Sequence, residues 1–395
     1  MNSQIKDNVL QIFLEGKIDS TNAQAVESEI SKIVSAHAGL SLTFDASGLS
    51  YISSAGLRIL LKYAKQSGQK LPIQNVSKEV YEIFEVTGFI EIFNVEKALR
   101  SISVEGCELL GKGGNGSVYR LDDDKIVKVY KPWMKKEDID RERAFARNAV
   151  INGVPSVIAY DLVRCNDCFG VVFEMINSKT LGATIQEYPN RIDEFVEKYV
   201  ALAKQLHSIH ATKGMFTSIK DLLRTRVPKI APWTSQEERD LLYSLIDCIP
   251  ESDTLLHNDL HPGNIMIQDD ELVLIDMPEM TTGPSTLDLV SIFRDLIVAT
   301  QNPTNHIEQS VGMDASLSQK VGNLFFLKYK GFSDASELES YYKQLWLPFA
   351  LNVVLIVGTE SEESTKRAPM LMDKLLRGAI LPNEPALRQA LQNIT

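Results

Sequence analysis

Hydrophobic and polar positions along the first hundred residues predict strands separated by helices. Short apolar or alternating runs indicate strands, and apolar residues that recur every three or four positions indicate helices. An alternation of the two elements predicts an α/β domain with a mixed or parallel sheet. The predicted strands are residues 9–14 (ended by Gly16), 40–44 and 90–95, and the predicted helices are residues 21–36 and 76–88.

Two serines stand at the start of a further predicted helix, which runs from Ser53 and Ser54 to about Gln66. A serine there ordinarily caps the helix by accepting a hydrogen bond from an unpaired backbone N–H. The same position suits a phosphate group, because helix N-termini attract anions. The residues alone leave both interpretations open, and the cap is the simpler one.

A glycine-rich segment follows a predicted strand at residues 104–110 and contains Gly111, Gly113 and Gly116. In a dinucleotide-binding fold, such glycines open a helix. Here two short β-rich runs follow, separated by a turn at residues 122–124. A strand–loop–strand arrangement is typical of the loop that covers the phosphates in kinases.

Lys128 lies in the second of these strands, and Glu142 lies in the predicted helix at residues 138–151. In a kinase, a strand lysine contacts the nucleotide phosphates and a helix glutamate holds the lysine in place. A lysine on a sheet face is also commonly just solvated. The pair therefore fits the kinase hypothesis without establishing it.

The sequence His-Asn-Asp-Leu-His-Pro-Gly-Asn at residues 257–264 precedes a predicted hairpin at residues 265–275 and then Asp276. This spacing predicts that oxygen atoms of Asp259, Asn264 and Asp276 surround one cleft. Phosphoryl transfer needs one carboxylate to orient the acceptor hydroxyl, and an amide with a second carboxylate to hold Mg²⁺. The alternative is that Asp259 caps a turn and Asn264 fills a loop.

Composition adds a domain count and limits the partners. The chain has 395 residues, of which 44% are hydrophobic and 24% are charged, and its formal net charge is −11. This length predicts two or three domains with real cores, and the acidic balance argues against nucleic acid and anionic membranes as partners. Residues 1–100 carry 10 Lys and Arg against 11 Asp and Glu. The negative excess therefore lies in residues 101–395, which supports a domain boundary near residue 100.

Three features predict a soluble, cytoplasmic protein. The N-terminus lacks the basic and apolar pattern of a secretory signal. The longest apolar run, residues 345–357, is shorter than the roughly 20 residues of a membrane span and is predicted to be a buried helix. Four cysteines do not form a disulfide framework in a chain of this length. Cys165 and Cys168 are predicted to flank a turn between strands, with a metal or redox role as the alternative.

The first hundred residues resemble a STAS domain of the anti-sigma-factor-antagonist type. The resemblance implies a regulatory domain over residues 1–100 that binds a protein partner. It also implies that Ser54 is the serine whose phosphorylation switches that binding, although Ser53 replaces the aspartate usual before it. The segments that carry the resemblance are residues 14–19, 44–61 and 76–95.

The remainder resembles the aminoglycoside/choline phosphotransferase branch of the protein-kinase-like fold. HNDLHPGN matches that branch's HGDLHPGN, with Asn258 in place of the glycine. The resemblance covers about residues 103–300 and implies a bilobal α+β domain, with an N-lobe at about 103–174 and a mainly helical C-lobe at about 175–395. The other matching segments are residues 153–155, 206–210 and 283–289.

The resemblance also assigns roles. It implies ATP and Mg²⁺ as cofactors and a structural contact from Asp288 to the catalytic loop. His261 is predicted to be a structural loop residue rather than a proton carrier, and His207 and His210 to lie in the core. Asn258 either tightens the loop or reaches the substrate. The implied site residues are Asp259 as base, Asn264 and Asp276 as Mg²⁺ ligands, Lys128 with Glu142 at the phosphates, and Gly111, Gly113 and Gly116 in the phosphate-covering loop.

The acceptor is predicted to be a small hydroxylated molecule. A protein kinase needs about 20–30 residues of activation segment before an Ala-Pro-Glu motif, but only nine residues separate Asp276 from the helix predicted near Thr286. Glu279 either favours a cationic acceptor or is a solvated loop residue. Two alternatives stay open: a protein-directed kinase that acts on Ser54, and an ATP-binding pseudokinase that signals by conformation.

Overall fold

The structure, a computed structural model, describes residues 1–301, 306–357 and 362–395. The chain divides into two compact units, Met1–Ser101 and Ile102–Thr395.

The first unit is an α/β domain built on one mixed sheet, as the sequence predicts. Its five strands are hydrogen-bonded in their order along the chain, and the first pair is antiparallel while the others are parallel. The core of the unit is apolar and includes Leu10, Ile12 and Leu14, which alternate along one strand and point inward. The elements are β1 (Ser3–Lys6), β2 (Val9–Ile18), α1 (Ala23–Ala36), β3 (Ser41–Ile52), α2 (Ser54–Ser67), β4 (Leu71–Val76), α3 (Lys78–Val86), β5 (Phe93–Lys97) and the short β6 (Arg100–Ser101).

The central strand pair is longer than the sequence pattern predicts. Strand β2 does not end at Gly16 but continues through it to Ile18, and β3 continues past Phe44 to Ile52. Gly16 has a φ of +67°, and the register between the strands shifts next to it. A glycine in this left-handed conformation forms a bulge that bends the strand without ending it.

The strand predicted at residues 90–95 starts later, at Phe93. Gly88, with a φ of +74°, ends α3, and residues Phe89–Glu91 then form a single 3₁₀ turn. The rings of Phe89 and Phe93 stack with centroids 5.5 Å apart, which packs this turn against the start of β5.

The second unit begins with an antiparallel sheet in which the strands pair in the order β10–β11–β9–β8–β7. The strand predicted at residues 104–110 is mostly a turn, because Gly106 has a φ of +77° and the Cys107 N–H donates to the Val104 carbonyl at 3.1 Å. Cys165 ends β10 and Cys168 starts β11, so the predicted turn lies between them. The bounds are β7 (Leu109–Lys112), β8 (Gly116–Arg120), β9 (Lys125–Tyr130), α4 (Lys136–Ile151), β10 (Ala159–Cys165) and β11 (Cys168–Glu174).

The rest of this unit is mainly helical, as the resemblance implies, with two short two-stranded ladders, β12–β15 and β13–β14. The chain includes two π-helical turns, Arg294–Val298 and Met372–Ile380, and each directly continues an α-helix. The bounds are α5 (Leu181–Glu187), α6 (Ile192–His207), α7 (Ile219–Arg226), α8 (Gln236–Asp247), β12 (Leu255–Leu256), β13 (Ile265–Gln268), β14 (Glu271–Leu274), β15 (Thr281–Thr282), α9 (Thr286–Phe293), α10 (His306–Val311), α11 (Ala315–Lys330), α12 (Ala335–Ile356), α13 (Glu362–Leu371) and α14 (Glu384–Gln392).

The apolar run at residues 345–357 falls mostly in α12, as predicted. Helix α12 packs Ala350, Val354 and Leu355 into the helical core together with Leu376. Within the described ranges, the helices are all too short or too polar to cross a membrane.

The prediction that both His207 and His210 lie in the core is half wrong. His207 is buried at the last residue of α6. His210 lies beyond the end of the helix, and 69% of its side chain is exposed where it meets Asp253. The helix is shorter than its apolar pattern, so His210 no longer shares a face with His207.

Candidate active site

The glycine-rich loop joins β7 to β8, as the strand–loop–strand pattern predicts. The Gly113 N–H donates to the Gly116 carbonyl at 2.8 Å and closes the turn. A Cβ on Gly116 would lie 2.4 Å from the carbonyl oxygen of Val129, so the close approach of β9 requires glycine there. At Gly111 a Cβ would meet no atom within 4 Å, and at Gly113 only the Gly116 oxygen at 3.9 Å. These two positions therefore leave open space beside the backbone.

Lys128 lies between two carboxylates. Its Nζ is 2.7 Å from Glu142 Oε1 and 2.8 Å from Asp276 Oδ1. Glu142 reaches it from α4, and its side chain is only 4% exposed. Burial would lower the pKa of Lys128, but the charges of Asp276 and Glu142 outweigh burial and hold that pKa above its ordinary value. The lysine is therefore a fixed cation that joins the sheet, α4 and the segment after β14.

The loop at residues 257–264, here called the 257–264 loop, is held in place by hydrogen bonds to Asp288. This buried carboxylate accepts hydrogen bonds from the backbone N–H groups of His257 at 2.8 Å and Asn258 at 2.5 Å. His207 Nε2 lies 3.1 Å from the same carboxylate, and the Tyr199 hydroxyl donates to the Leu260 carbonyl. The contact between Asp288 and this loop, which the resemblance implies, is present in the structure.

Asn258 tightens the loop. Its φ is +64°, the left-handed conformation that glycine adopts most easily and asparagine tolerates. Its side-chain amide donates to the Glu279 carbonyl at 2.6 Å and to Thr281 Oγ1 at 2.7 Å. Of the two roles left open by the sequence, the structure supports the structural one, because both amide hydrogens bind the segment that follows Asp276.

Both oxygens of the Asp259 carboxylate have partners. Oδ2 accepts from Asn264 Nδ2 at 2.9 Å and faces His261 Nε2 at 3.5 Å, while Oδ1 accepts from Arg294 Nη2 at 2.8 Å. Burial would raise the pKa of Asp259, but the adjacent His261 and Arg294 outweigh it and hold that pKa below its ordinary value. The carboxylate is thus fixed in the ionised form that can accept a proton or a hydrogen bond.

His261 fits the structural role predicted for it. The Gly263 N–H donates to its Nδ1 at 3.1 Å, which places the ring proton on Nε2, directed at Asp259. The ring is buried and lies inside the turn that leads into the 3₁₀ segment Pro262–Asn264.

Asn264 and Asp276 present oxygens that fit a divalent cation. The Asn264 amide nitrogen is used by Asp259, which leaves its Oδ1 available, and its carbonyl accepts from Ile275 N–H at 2.9 Å. Asp276 has a φ of +62° and a side chain that is 44% exposed. An amide and a carboxylate suit Mg²⁺, which prefers oxygen ligands and usually takes few from the protein when phosphates supply others. Within the described ranges, three or more His, Cys, Asp or Glu side chains nowhere form a potential metal cluster.

Two arginines near this site were not identified from the sequence. Arg294 contacts Asp259, and Arg226 forms an ion pair with Glu279. Glu279 is therefore neither a plain solvated residue nor an unpaired charge that attracts a cation. Neither arginine lies in a motif, and each meets its partner only because distant helices pack together.

In the first unit, the two candidate serines differ. Ser53 is the N-cap of α2, and its Oγ accepts from the Ala55 N–H at 3.2 Å. Ser54 is the first residue of the helix and is exposed.

The fold of the second unit is that of protein-kinase-like phosphotransferases. The model of the family described as "phosphotransferase enzyme family" (APH) matches residues 106–307, just over half of the chain. The chain therefore belongs to the APH phosphotransferase family, and its first 102 residues match the STAS domain model.

Two relatives found by sequence are anti-sigma factor antagonists. A putative anti-sigma factor antagonist, BtrV, from Bordetella bronchiseptica is 38% identical over 92 residues, which cover 22% of this chain and 78% of that protein. The anti-sigma-B factor antagonist of Bacillus subtilis is 26% identical over 92 residues, covering 22% of this chain and 83% of that protein.

Similar solved structures include two phosphotransferases. The ADP-bound aminoglycoside phosphotransferase APH(2'')-Ib is 14% identical, with a TM-score of 0.44 over 80% of this chain and 99% of that chain. A choline/ethanolamine kinase family protein from Mesorhizobium loti is 13% identical, with a TM-score of 0.44 over 72% of this chain and 92% of that chain.

Proposed function

We propose that the second unit transfers the γ-phosphoryl group of ATP to a hydroxyl group of a small molecule. The observation that carries this proposal is the arrangement around Lys128 and Asp259. One cation pairs with carboxylates from α4 and from the segment after β14, and a fixed carboxylate lies on the loop whose last residue is Asn264. This is the set of parts that phosphoryl transfer between ATP and an alcohol requires.

The nucleotide would lie along the glycine-rich loop. The open space at Gly111 and Gly113 lets phosphate oxygens approach the backbone, and Lys128 would contact the phosphates while Glu142 holds it. Asn264 and Asp276 would hold Mg²⁺, which when bound neutralises the charge that develops on the transferred group. Asp276 can serve because one of its oxygens pairs with Lys128 and the other does not.

Asp259 would act as the base on the acceptor. A carboxylate held by Asn264, His261 and Arg294 is positioned before the acceptor arrives, and it would accept the hydroxyl proton as the oxygen attacks phosphorus. The short segment between Asp276 and Thr286 favours a small acceptor over an extended peptide. Because Glu279 pairs with Arg226, its carboxylate offers a cationic acceptor no unpaired charge.

A screen of ATP consumption over hydroxylated metabolites, choline-like alcohols, sugars and aminoglycosides tests the proposal. We expect turnover that needs Mg²⁺ and falls at least 100-fold in Asp259→Asn and Asp276→Asn. Asp253→Asn, an exposed carboxylate away from this cluster, is the matched control and should keep the full rate. Nucleotide binding without turnover over the whole panel would contradict the proposal and favour the pseudokinase alternative.

For the first unit, we propose a regulatory domain that binds a protein and is switched at Ser54. Ser54 is exposed, whereas the Ser53 hydroxyl is engaged in the helix cap, so only Ser54 can be modified without loss of the cap. A phosphate there would also be stabilised by the N-terminus of α2.

Mass spectrometry of the protein before and after incubation with Mg-ATP tests this regulation and the alternative that the chain phosphorylates itself. For a regulatory switch we expect a phosphate on Ser54 already before the incubation, absent from Ser54→Ala and retained in Ser53→Ala. A phosphate that appears only after incubation with Mg-ATP would favour the alternative. If neither serine is modified by Mg-ATP, self-phosphorylation is contradicted.

A further inference from the structure

We propose that Arg294 is a positioning residue for Asp259, an inference that rests on the phosphoryl transfer proposed above. Arg294 lies outside every motif that marks the site, yet its Nη2 donates to Asp259 Oδ1 at 2.8 Å. Its side chain is 20% exposed, so the contact is made at the edge of the cleft rather than in open solvent.

The guanidinium group is itself held in one orientation. Asp295 accepts from Arg294 Nε at 2.7 Å and from Nη2 at 2.9 Å, and the Asp295 side chain is only 17% exposed. A two-point contact with a carboxylate fixes the plane of a guanidinium group, which a single contact does not. Nη2 is therefore aimed at Asp259 by its neighbour in the chain.

Helix α9 and the π-helical turn that follows it contact both the backbone and a side chain of the 257–264 loop. Asp288, in the first turn of α9, binds the backbone N–H groups of His257 and Asn258. Arg294, in the π-helical turn that continues the helix, binds the side chain of Asp259. A π-helical turn shifts the side chains that follow it, and such turns are frequent at functional sites. One helical element thus fixes the position of both the loop backbone and the Asp259 carboxylate.

The hydrogen-bond partners of the Asp259 carboxylate explain why Arg294 would affect the rate of phosphoryl transfer. Asn264 and His261 engage Oδ2, and Arg294 is the partner on Oδ1. An ionised carboxylate offers about four acceptor positions, so these contacts leave room for the acceptor hydroxyl. Without Arg294 the carboxylate is restrained on one oxygen only and can rotate. A displacement of about 1 Å at a reacting group can lower a rate about 100-fold.

The test compares Arg294→Gln, Arg294→Lys and the control Arg191→Gln, whose arginine makes a comparable two-point contact with Glu194 on the surface. One assay measures phosphate release from Mg-ATP with water as acceptor. A second measures phosphorylation of an acceptor identified in the ATP-consumption screen. Calorimetry with AMP-PNP and Mg²⁺ measures nucleotide affinity separately.

We expect Arg294→Gln to lower kcat 10- to 100-fold while KM for Mg-ATP and the affinity for AMP-PNP change less than twofold. Arg294→Lys should recover part of kcat, since an ammonium group can donate to Oδ1 but cannot also make the planar contact with Asp295. Arg191→Gln should match the unsubstituted protein. A merely structural role would lower nucleotide affinity and thermal stability along with kcat.

An unchanged kcat in Arg294→Gln, or a parallel loss of kcat and nucleotide affinity, would overturn the positioning role of Arg294. The proposed phosphoryl transfer would still stand. Absence of turnover in the unsubstituted protein would overturn the proposed function, and this inference with it.

Discussion

Gly263 lies so close to the carbonyl oxygen of Ser310 that a Cβ on the glycine would be 1.9 Å from that oxygen. Val311, the residue after Ser310, makes a second contact of the same kind, because a Cβ on Gly182 would lie 1.8 Å from the carbonyl oxygen of Val311. The segment from Ser310 to Gly312 is thus pressed between the 257–264 loop and the first turn of α5, and glycines at both contacts make room for it.

We therefore predict that Gly263→Ala displaces the loop and lowers both stability and turnover. The added methyl group overlaps backbone that cannot move alone, so the free energy of unfolding should fall by about 1–3 kcal/mol and kcat by more than 10-fold. All three tryptophans, Trp133, Trp233 and Trp346, lie in the second unit, so tryptophan fluorescence during urea unfolding reports this unit separately from the first.

Gly114→Ala is the control for stability, because a Cβ there would meet no atom within 4 Å. Its free energy of unfolding should stay within about 0.5 kcal/mol of the unsubstituted protein. An equal loss of stability in both variants would contradict the steric explanation.

The sequence predicted the parts of the site that local spacing defines. Asp259, Asn264 and Asp276 are separated by one turn and one hairpin, so their proximity follows from elements that neighbouring residues specify. Lys128 and Glu142 were predicted for the same reason, since one strand and the next helix carry them.

The contacts that the sequence did not predict join distant segments. Arg294 reaches Asp259 across 35 positions, and Arg226 reaches Glu279 across 53, and neither arginine belongs to a motif. The predicted ends of two strands were wrong for another reason. Gly16 and Gly106 both have positive φ, yet one forms a bulge inside a strand and the other a turn before a strand. Hydrophobic periodicity does not separate these outcomes, because strand pairing decides them.

We predict that Asp288→Asn loosens the loop although it keeps the shape of the side chain. The carboxylate accepts from two backbone N–H groups, and an amide offers one oxygen, so its NH₂ group would face a donor. Loss of a buried charge-assisted hydrogen bond should cost about 1.5–3 kcal/mol, with kcat reduced at least 10-fold. Urea unfolding and the ATP assay measure the two effects, and Asp253→Asn, at an exposed carboxylate, should change neither.

The Lys128–Glu142 pair yields a prediction about the order of stabilities. Lys128→Met leaves the buried Glu142 without its opposite charge, which should cost about 3–5 kcal/mol. In Glu142→Gln, Lys128 keeps Asp276 as a partner, so the loss should be smaller. The double variant should be more stable than Lys128→Met, because it no longer buries an unpaired charge. Additive losses in the double variant would contradict this account.

The two histidines of the Leu206–His210 segment should contribute unequally to stability and turnover. His207 Nε2 donates to Asp288 at 3.1 Å, which leaves its Nδ1 to accept from the Tyr329 hydroxyl at 2.8 Å, and its side chain is only 5% exposed. His207→Ala opens a cavity and removes a donor from a buried carboxylate, so we expect a loss of about 2–4 kcal/mol in the free energy of unfolding.

His210→Ala removes only an exposed contact between the imidazole ring and Asp253 and should cost less than about 0.5 kcal/mol. Urea unfolding followed by tryptophan fluorescence compares the two variants under one condition. Because Asp288 also holds the 257–264 loop, His207→Ala should lower kcat as well, whereas His210→Ala should not. Equal effects of the two substitutions would mean that burial and the contact with Asp288, the features that distinguish these histidines, do not determine their contributions.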